Sequence, residues 1–232
     1  MVHLGIIPDG NRRWCKKKNI DLNSLTDQWI TLILSHLNNY KKHKFKYLKM
    51  VNELSLYICS IDNINRNDNT KINIFNLIRK LYKINKDPLG KEENLIKEKF
   101  DYIKNNINFK ANFIGDLELL PIDIRKIINE IKNDNSKKKN EDLFVLNIAI
   151  AYDYNKDMIN YGKNELENYN RNQSNIDLVF RSGGEKRISG FFPTKIIYSE
   201  LFFEKKLWPD ITLNHLNIVI KKYFHRNRRY GK

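Results

Sequence analysis

Short apolar runs alternate along this chain with stretches of helical hydrophobic period, and that alternation constrains the fold more than any other feature. The runs fall at residues 2–7, 54–59, 111–114, 144–150, 177–180 and 201–203. Between them, Ile74, Leu77, Ile78 and Leu81 keep the spacing of one helix face, as do Ile124, Ile127, Ile128 and Ile131, and later Leu216, Val219, Ile220 and Tyr223. Strand and helix in alternation predict an α/β domain with a central, mostly parallel sheet flanked by helices on both faces. Ligands of such a sheet bind outside the carboxyl ends of its strands, so polar residues directly after an apolar run carry the most information. At 232 residues, with 41% hydrophobic and 12% aromatic content, the chain suits a single domain over 1–232 with a substantial core. The polar stretches 63–71, 86–90, 133–140 and 168–175 read as surface loops.

Two of the apolar runs end in dense polar chemistry. The first is His3-Leu-Gly-Ile-Ile-Pro-Asp-Gly-Asn-Arg-Arg-Trp14. Asp9 ends a strand, Gly10 lets backbone approach a ligand, and Asn11, Arg12 and Arg13 bring donors into the same space. Magnesium accepts one or two carboxylates together with diphosphate oxygens and water, so one well-placed acid is chemically sufficient. Taken alone, Asp-Gly-Asn also fits a tight turn. The second run is Asp177-Leu-Val-Phe-Arg-Ser-Gly-Gly-Glu-Lys-Arg-Ile-Ser189, where Arg181, Arg187 and Ser189 surround Gly183 and Gly184. Arginine forks give two parallel charge-assisted bonds to a phosphate. Two anion cradles on one sheet edge imply two phosphorylated substrates.

The net charge of +15 is a weaker signal. Lysines are strewn along the chain and read as a solvated surface, whereas several arginines sit inside the two motifs. No zinc-finger spacing, helix-turn-helix signal or aromatic-basic motif supports a specific nucleic-acid partner. Cys15 and Cys59 lie at no metal-ligand spacing and suit ordinary thiols in a reducing compartment. No apolar run approaches the ~20 residues of a bilayer span, and the first strand begins at once. The expectation is a cytoplasmic protein, peripheral to membranes at most.

These motifs carry a resemblance to the cis-prenyltransferases, the family of undecaprenyl and dehydrodolichyl diphosphate synthases. The blocks run in family order: residues 3–14, Ser60-Ile-Asp-Asn-Ile-Asn-Arg66, Ile114-Gly-Asp116, Leu146-Asn-Ile-Ala149 with Tyr152, residues 177–189, Tyr198-Ser-Glu-Leu201, Leu207-Trp-Pro-Asp210 and Arg229-Tyr-Gly231. The resemblance implies the family's α/β fold and a magnesium-dependent condensation of isopentenyl diphosphate with an allylic diphosphate such as farnesyl or geranylgeranyl diphosphate. It implies that Asp9 is the essential acid, that Gly10, Asn11, Arg12, Arg13 and Arg66 hold the allylic diphosphate, and that Trp14 stands at the substrate site. An aromatic wedge between the first strand and the next helix is a second reading of Trp14, compatible with the first. Ser60 falls in the same substrate-binding block, and Asn63 matches the asparagine assigned to proton abstraction. An amide is a poor base, so orienting substrate is the chemically safer role for Asn63. Arg181, Arg187 and Ser189 match the holders of isopentenyl diphosphate, and Glu200 matches a second carboxylate that places magnesium. The terminal Arg229 and Gly231 match a motif that reaches the partner's site, implying a homodimer.

The sequence departs from the family in places. Leu22 and Thr26 stand closest to an expected arginine and histidine, Ile64 replaces a tryptophan, Asp153-Tyr-Asn155 replaces a Gly-Gly-Arg-like segment, and Gly190 replaces an asparagine. A growing prenyl product needs an apolar tunnel, and the helical stripes at Ile74 to Leu81 and at Ile96, Phe100, Ile103 and Ile107 are candidates to line it. The competing class is a catalytically weak homologue serving as a regulatory or membrane-associated partner. Retention of Asp9, Arg13, Asn63, Arg66, Arg181, Arg187, Glu200 and the terminal Arg229-Tyr-Gly231 argues against it, because a scaffold has no need to keep two diphosphate sites.

Overall fold

The computed structural model describes residues 1–21, 45–66, 70–135, 143–162 and 174–227. Six strands form one sheet: β1 (Val2–Ile7), β2 (Val51–Tyr57), β3 (Phe109–Ile114), β4 (Phe144–Ala149), β5 (Leu178–Arg181) and β6 (Glu200–Phe203). Their order is β3-β4-β2-β1-β5-β6, and every pair is parallel. The seven described helices are α1 (Asn11–Lys18), α2 (Ile61–Asn65), α3 (Thr70–Lys86), α4 (Gly90–Asn106), α5 (Ile122–Asn135), α6 (Tyr154–Gly162) and α7 (Leu213–Phe224). None of them is long and apolar enough to cross a membrane.

The expected strands and helices are all present, with shifted ends. β2 begins three residues before the apolar run because Val51 pairs with Val2 and Glu53 with His3. The stretch 63–71 is not a continuous loop: Asn63 to Asn65 close α2, and Thr70 opens α3. Asn133 to Asn135 likewise extend α5, and Ile107 lies just past α4 rather than on its stripe. Residues 67–69, 136–140 and 168–173 of the expected loops, with Leu22 and Thr26, lie outside the described residues.

β1 has neighbours on both sides, with α7 over one face and the segment carrying Phe191 and Phe192 over the other, so all six of its residues are buried. Leu4 and Ile6 pack with Leu54, Leu56, Leu178 and Phe180 under Trp208, Leu216 and Ile220. On the alternate face Ile7 and Val179 meet Tyr152, Phe191 and Phe192. That second face also buries a polar network no local pattern announced. His3 is bonded at both ring nitrogens, to Ser55 Oγ at 2.7 Å and Ser174 Oγ at 2.8 Å. Asn147 donates to Glu53 at 2.7 Å and accepts from Asn112 at 2.9 Å, while Ser174 donates to Glu53 at 2.6 Å. Burial pushes the His3 pKa down against the opposing pull of Glu53, so the ring is neutral within the fold.

The strand order places the site. From β1 the chain crosses to β2 on one side, and later supplies β5 on the other, so the loops after β1, β2 and β5 diverge over one crevice. Such a reversal leaves an opening at the carboxyl edge that no crossover helix covers.

Candidate active site

A cleft of roughly 1030 Å³ opens at that edge. Its wall combines Pro8 to Arg13 after β1, Tyr57 to Ser60 with Asn63 and Arg66 after β2, and Arg181, Glu185, Arg187 and Ser189 at and after β5. The cations Arg12, Arg13, Lys16, Arg66, Arg181 and Arg187 face it against the carboxylates Asp9, Asp62 and Glu185, so the cleft is a cationic basin. Its apolar flank is Ile58, Ile74 and Leu77.

Asp9 stands at the centre. Its Oδ2 accepts from Arg181 at 2.9 Å and its Oδ1 from Arg13 at 3.2 Å. Burial alone would raise this carboxyl, but the Arg181 hydrogen bond and charge, with Arg13 beside them, outweigh it and hold the group below the usual carboxylate range. Asp9 is therefore ionised at neutral pH. The backbone around it is braced: Ser182 Oγ donates to the Asp9 carbonyl at 2.8 Å, and that carbonyl also accepts from Trp208 N–H at 3.0 Å. Gly10 turns the chain into α1 with φ +104, a left-handed conformation that disfavours any side chain, and a Cβ there would lie 2.7 Å from Leu207 Cδ2.

Arg181 is the hub. It is 5% exposed, and it donates to Ser189 Oγ at 2.8 Å and to the Arg187 carbonyl at 2.5 Å as well as to Asp9. Its Nε is buried with no partner, an orphaned donor on the wall of an anion cleft. Ser189 adopts a left-handed backbone, φ +51, and its carbonyl accepts from the Tyr57 hydroxyl at 3.1 Å. Burial pushes the Tyr57 hydroxyl pKa up, so it remains a proton donor to Ser189. Arg187 is exposed to the cleft and pairs with Glu185 at 2.5 Å.

Several residues read as site members from sequence have other work. Trp14 is buried against Leu207, donates to Asp210 at 2.8 Å and is not on the cleft wall, so its ring packs α1 against residues 207–210 rather than against β1. The Gly183 and Gly184 amides donate to the carbonyls of Lys206 and Glu204 at 2.7 and 2.8 Å, so the glycine loop holds the segment after β6 rather than curling amides around an anion. Asn11 lines the cleft but donates its amide to the Pro8 carbonyl at 2.9 Å. Ser60 and Asn63 form the capping box of α2: Asn63 Oδ1 accepts from Ser60 Oγ at 2.7 Å and Ser60 N–H at 3.2 Å. An amide oxygen so engaged cannot act as a base, which leaves Asn63 only its donor side.

Glu200 is not brought to the cleft. It opens β6 level with Leu178, whereas Arg181 is level with Phe203, so about 10 Å of strand separates Glu200 from the carboxyl edge. Its carboxylate pairs instead with Arg226 at 3.5 Å. Ile96 and Phe100 pack against the main core and are not on the cleft wall, in contrast to Ile74 and Leu77. Arg229 and Gly231 lie outside the described residues. Lys16, Tyr57, Asp62 and Tyr154 line the cleft without having been singled out as site residues. Lys16 falls one turn after Arg12 on α1, and that helical period was the available signal.

Among the described residues no cluster of three or more His, Cys, Asp or Glu side chains could hold a metal by itself. The donor set at Asp9 fits magnesium shared with a diphosphate, since that ion needs few carboxylates. Space supports the fit: a Cβ on Gly183 would lie 3.1 Å from Asp9 Cγ and 2.8 Å from an Arg13 nitrogen, so only a bare backbone leaves this corner open.

With an acid held between two arginines at its sheet's switch point, the chain matches a known family over nearly its whole length. Residues 7–231 match the Prenyltransf family model, described as "Putative undecaprenyl diphosphate synthase". The chain belongs to the cis-prenyltransferase family. It is 31% identical to the geranylgeranyl-diphosphate-specific tritrans,polycis-undecaprenyl-diphosphate synthase of Sulfurisphaera tokodaii, covering 99% of this chain and 87% of that one. It is also 31% identical to the isoprenyl transferase of Helicobacter pylori strain J99, covering 100% and 97%. The lavandulyl diphosphate synthase of Lavandula x intermedia, solved with dimethylallyl diphosphate, superposes with a TM-score of 0.70 at 21% identity over 99% of this chain and 98% of that one, a likeness of fold. As a cis-prenyltransferase the chain is an enzyme of prenyl transfer, and the cleft around Asp9 is its candidate centre.

Proposed function

We propose that this cis-prenyltransferase condenses isopentenyl diphosphate with an allylic diphosphate such as farnesyl or geranylgeranyl diphosphate, giving a cis-polyprenyl diphosphate, as a magnesium-dependent homodimer. The observation that carries the reading is an ionised Asp9 held between Arg13 on the α1 side and Arg181 on the β5 side of one cationic cleft. On this reading Gly10, Arg12, Arg13 and Arg66 receive the allylic diphosphate, and Arg187 and Ser189, with the charge of the buried Arg181 behind them, receive that of isopentenyl diphosphate. Magnesium held by Asp9 would neutralise diphosphate charge and favour departure of the leaving group.

The allylic carbon–oxygen bond breaks, and its electron pair leaves with the diphosphate, stabilised by the guanidinium groups of the α1 side. The isopentenyl double bond forms the new carbon–carbon bond, and loss of a proton restores an alkene. Asn63 does not take that proton, because its amide oxygen already accepts twice from Ser60. The departing diphosphate is the available base. Asn63 and Tyr57 hold the walls, one by capping α2 and the other by fixing Ser189. Ile58, Ile74 and Leu77 give the prenyl chain an apolar exit beside the charged groups.

The dimer reading rests on the terminal Arg229 and Gly231, proposed to complete the neighbouring site. The chain leading to them is anchored, since Arg226 pairs with Glu200 and lies 5.4 Å from the Phe202 ring centroid. Incubation with isopentenyl diphosphate, magnesium and geranyl, farnesyl or geranylgeranyl diphosphate in turn, followed by chromatography, tests the whole reading. Failure to elongate any of the three starters would refute it.

A further inference from the structure

Tyr154 and Gly190 meet as a matched pair on the cleft wall, in contact with the segment that carries Ser189. Gly190 has φ +77, and a Cβ built on it would lie 2.6 Å from Tyr154 Cδ1 and 3.0 Å from Cγ. The ring therefore occupies the volume a side chain at 190 would need. It does so without filling the core: Tyr154 belongs to none of the buried clusters and is 40% exposed.

Its mounting is rigid. Asp153 Oδ1 accepts from the Asn155 and Lys156 amides at 2.9 and 3.4 Å, capping the first turn of α6. Lys156 ties that turn to Asp116 at 3.0 Å, and the buried Tyr152 hydroxyl donates to Asp157 at 2.6 Å. An aromatic ring half open to a cleft, clamped from beneath and seated on bare backbone, presents a fixed apolar surface on the part of the wall that also carries Arg187 and Ser189.

We infer that Tyr154 is a specificity-determining residue of the acceptor side, its ring packing the small apolar group carried by a diphosphate held at Arg187 and Ser189. This rests on the diphosphate reading above and adds the surface that distinguishes isopentenyl diphosphate from diphosphate alone. Gly190 is the positioning partner, because any Cβ there displaces the ring.

Calorimetric titration of magnesium-containing protein with inorganic diphosphate, and separately with isopentenyl diphosphate, reads the ring's contribution as the ratio of the two affinities. Covering roughly 40 Å² of hydrocarbon with a ring face corresponds to about a fivefold change. Tyr154→Ala is expected to leave inorganic diphosphate binding unchanged and lower the ratio about fivefold, while Tyr154→Phe keeps the wild-type ratio. Gly190→Ala lowers the ratio as well, and combining it with Tyr154→Ala restores part of any inorganic diphosphate affinity lost in Gly190→Ala, since the new methyl no longer meets a ring. Equal weakening of both ligands in Tyr154→Ala would make the ring a loop clamp and overturn the proposal, as would an unchanged ratio. Wild-type protein that binds neither ligand defeats the diphosphate reading itself, and the acceptor wall falls with it.

Discussion

Replacing Asp9 with asparagine separates the role proposed for that residue from the one the structure shows. The carboxylate is proposed to serve a metal, and it is the counter-ion of Arg181, a guanidinium only 5% exposed whose Nε already lacks a partner. Removing one member of a fully buried pair costs about 3–5 kcal/mol, because the other charge is left without compensation. The Asp9 side chain is 29% exposed, so water screens part of that loss, and asparagine keeps a neutral acceptor. The discounted expectation is about 1.5–3 kcal/mol at pH 7, or roughly 5–10 °C in melting temperature for a chain of this size. The sign with pH follows from the lowered Asp9 pKa. This stabilisation is present above the unfolded carboxyl value of about 4 and is lost as pH falls through the lower folded value, so the melting curves converge there. Turnover should fall by about a thousandfold or more through loss of the metal-holding charge. Thermal melts across pH, with a double-mutant cycle against Arg181→Met, measure the pair directly. An Asp9→Asn protein melting within about 1 °C of wild type at pH 7, or strict additivity in the cycle, would refute the reasoning.

Arg187→Ala is expected to raise KM for isopentenyl diphosphate about tenfold to a hundredfold with a smaller effect on the allylic substrate, and steady-state kinetics varying each substrate in turn would show it. Because burial lowers the His3 pKa below its unfolded value near 6.5, the unfolded chain binds the extra proton first. Stability should therefore fall as pH drops below about 6.5, and denaturant titrations of wild type and His3→Gln between pH 5 and 8 should show the variant lacking that slope. Mixing an Asp9→Ala chain with one truncated from Arg229 onward should restore part of the activity once subunits exchange, whereas demonstrated exchange without recovery would exclude a shared site. Chelation of magnesium should stop turnover by the wild-type enzyme, as followed by incorporation of radiolabelled isopentenyl diphosphate.

The sequence by itself determined the parallel α/β plan and the carboxyl edge as the place of chemistry. Apolar period and polar termination are local properties, readable wherever a run such as 2–7 ends in Asp9 and Arg13. It also marked Arg181, Arg187 and Ser189, because phosphate-binding residue types cluster over a few positions. What each of those residues touches was decided only by tertiary structure. Trp14 turns from the cleft because Asp210, almost two hundred residues away, accepts its indole N–H. Glu200 lies at the far end of its strand, a matter of register with β5 that no motif records. The glycine loop uses its amides on Glu204 and Lys206, and Asn63 uses its oxygen on Ser60, so neither is available as the residue types alone suggested. The buried His3, Glu53, Ser55, Asn147 and Ser174 network and the Tyr154–Gly190 pair are assembled from separate elements, each member unremarkable in its own segment. Local sequence selects which chemistry can stand at an edge; the packing of distant strands and helices selects which donors and acceptors remain unspent when it does.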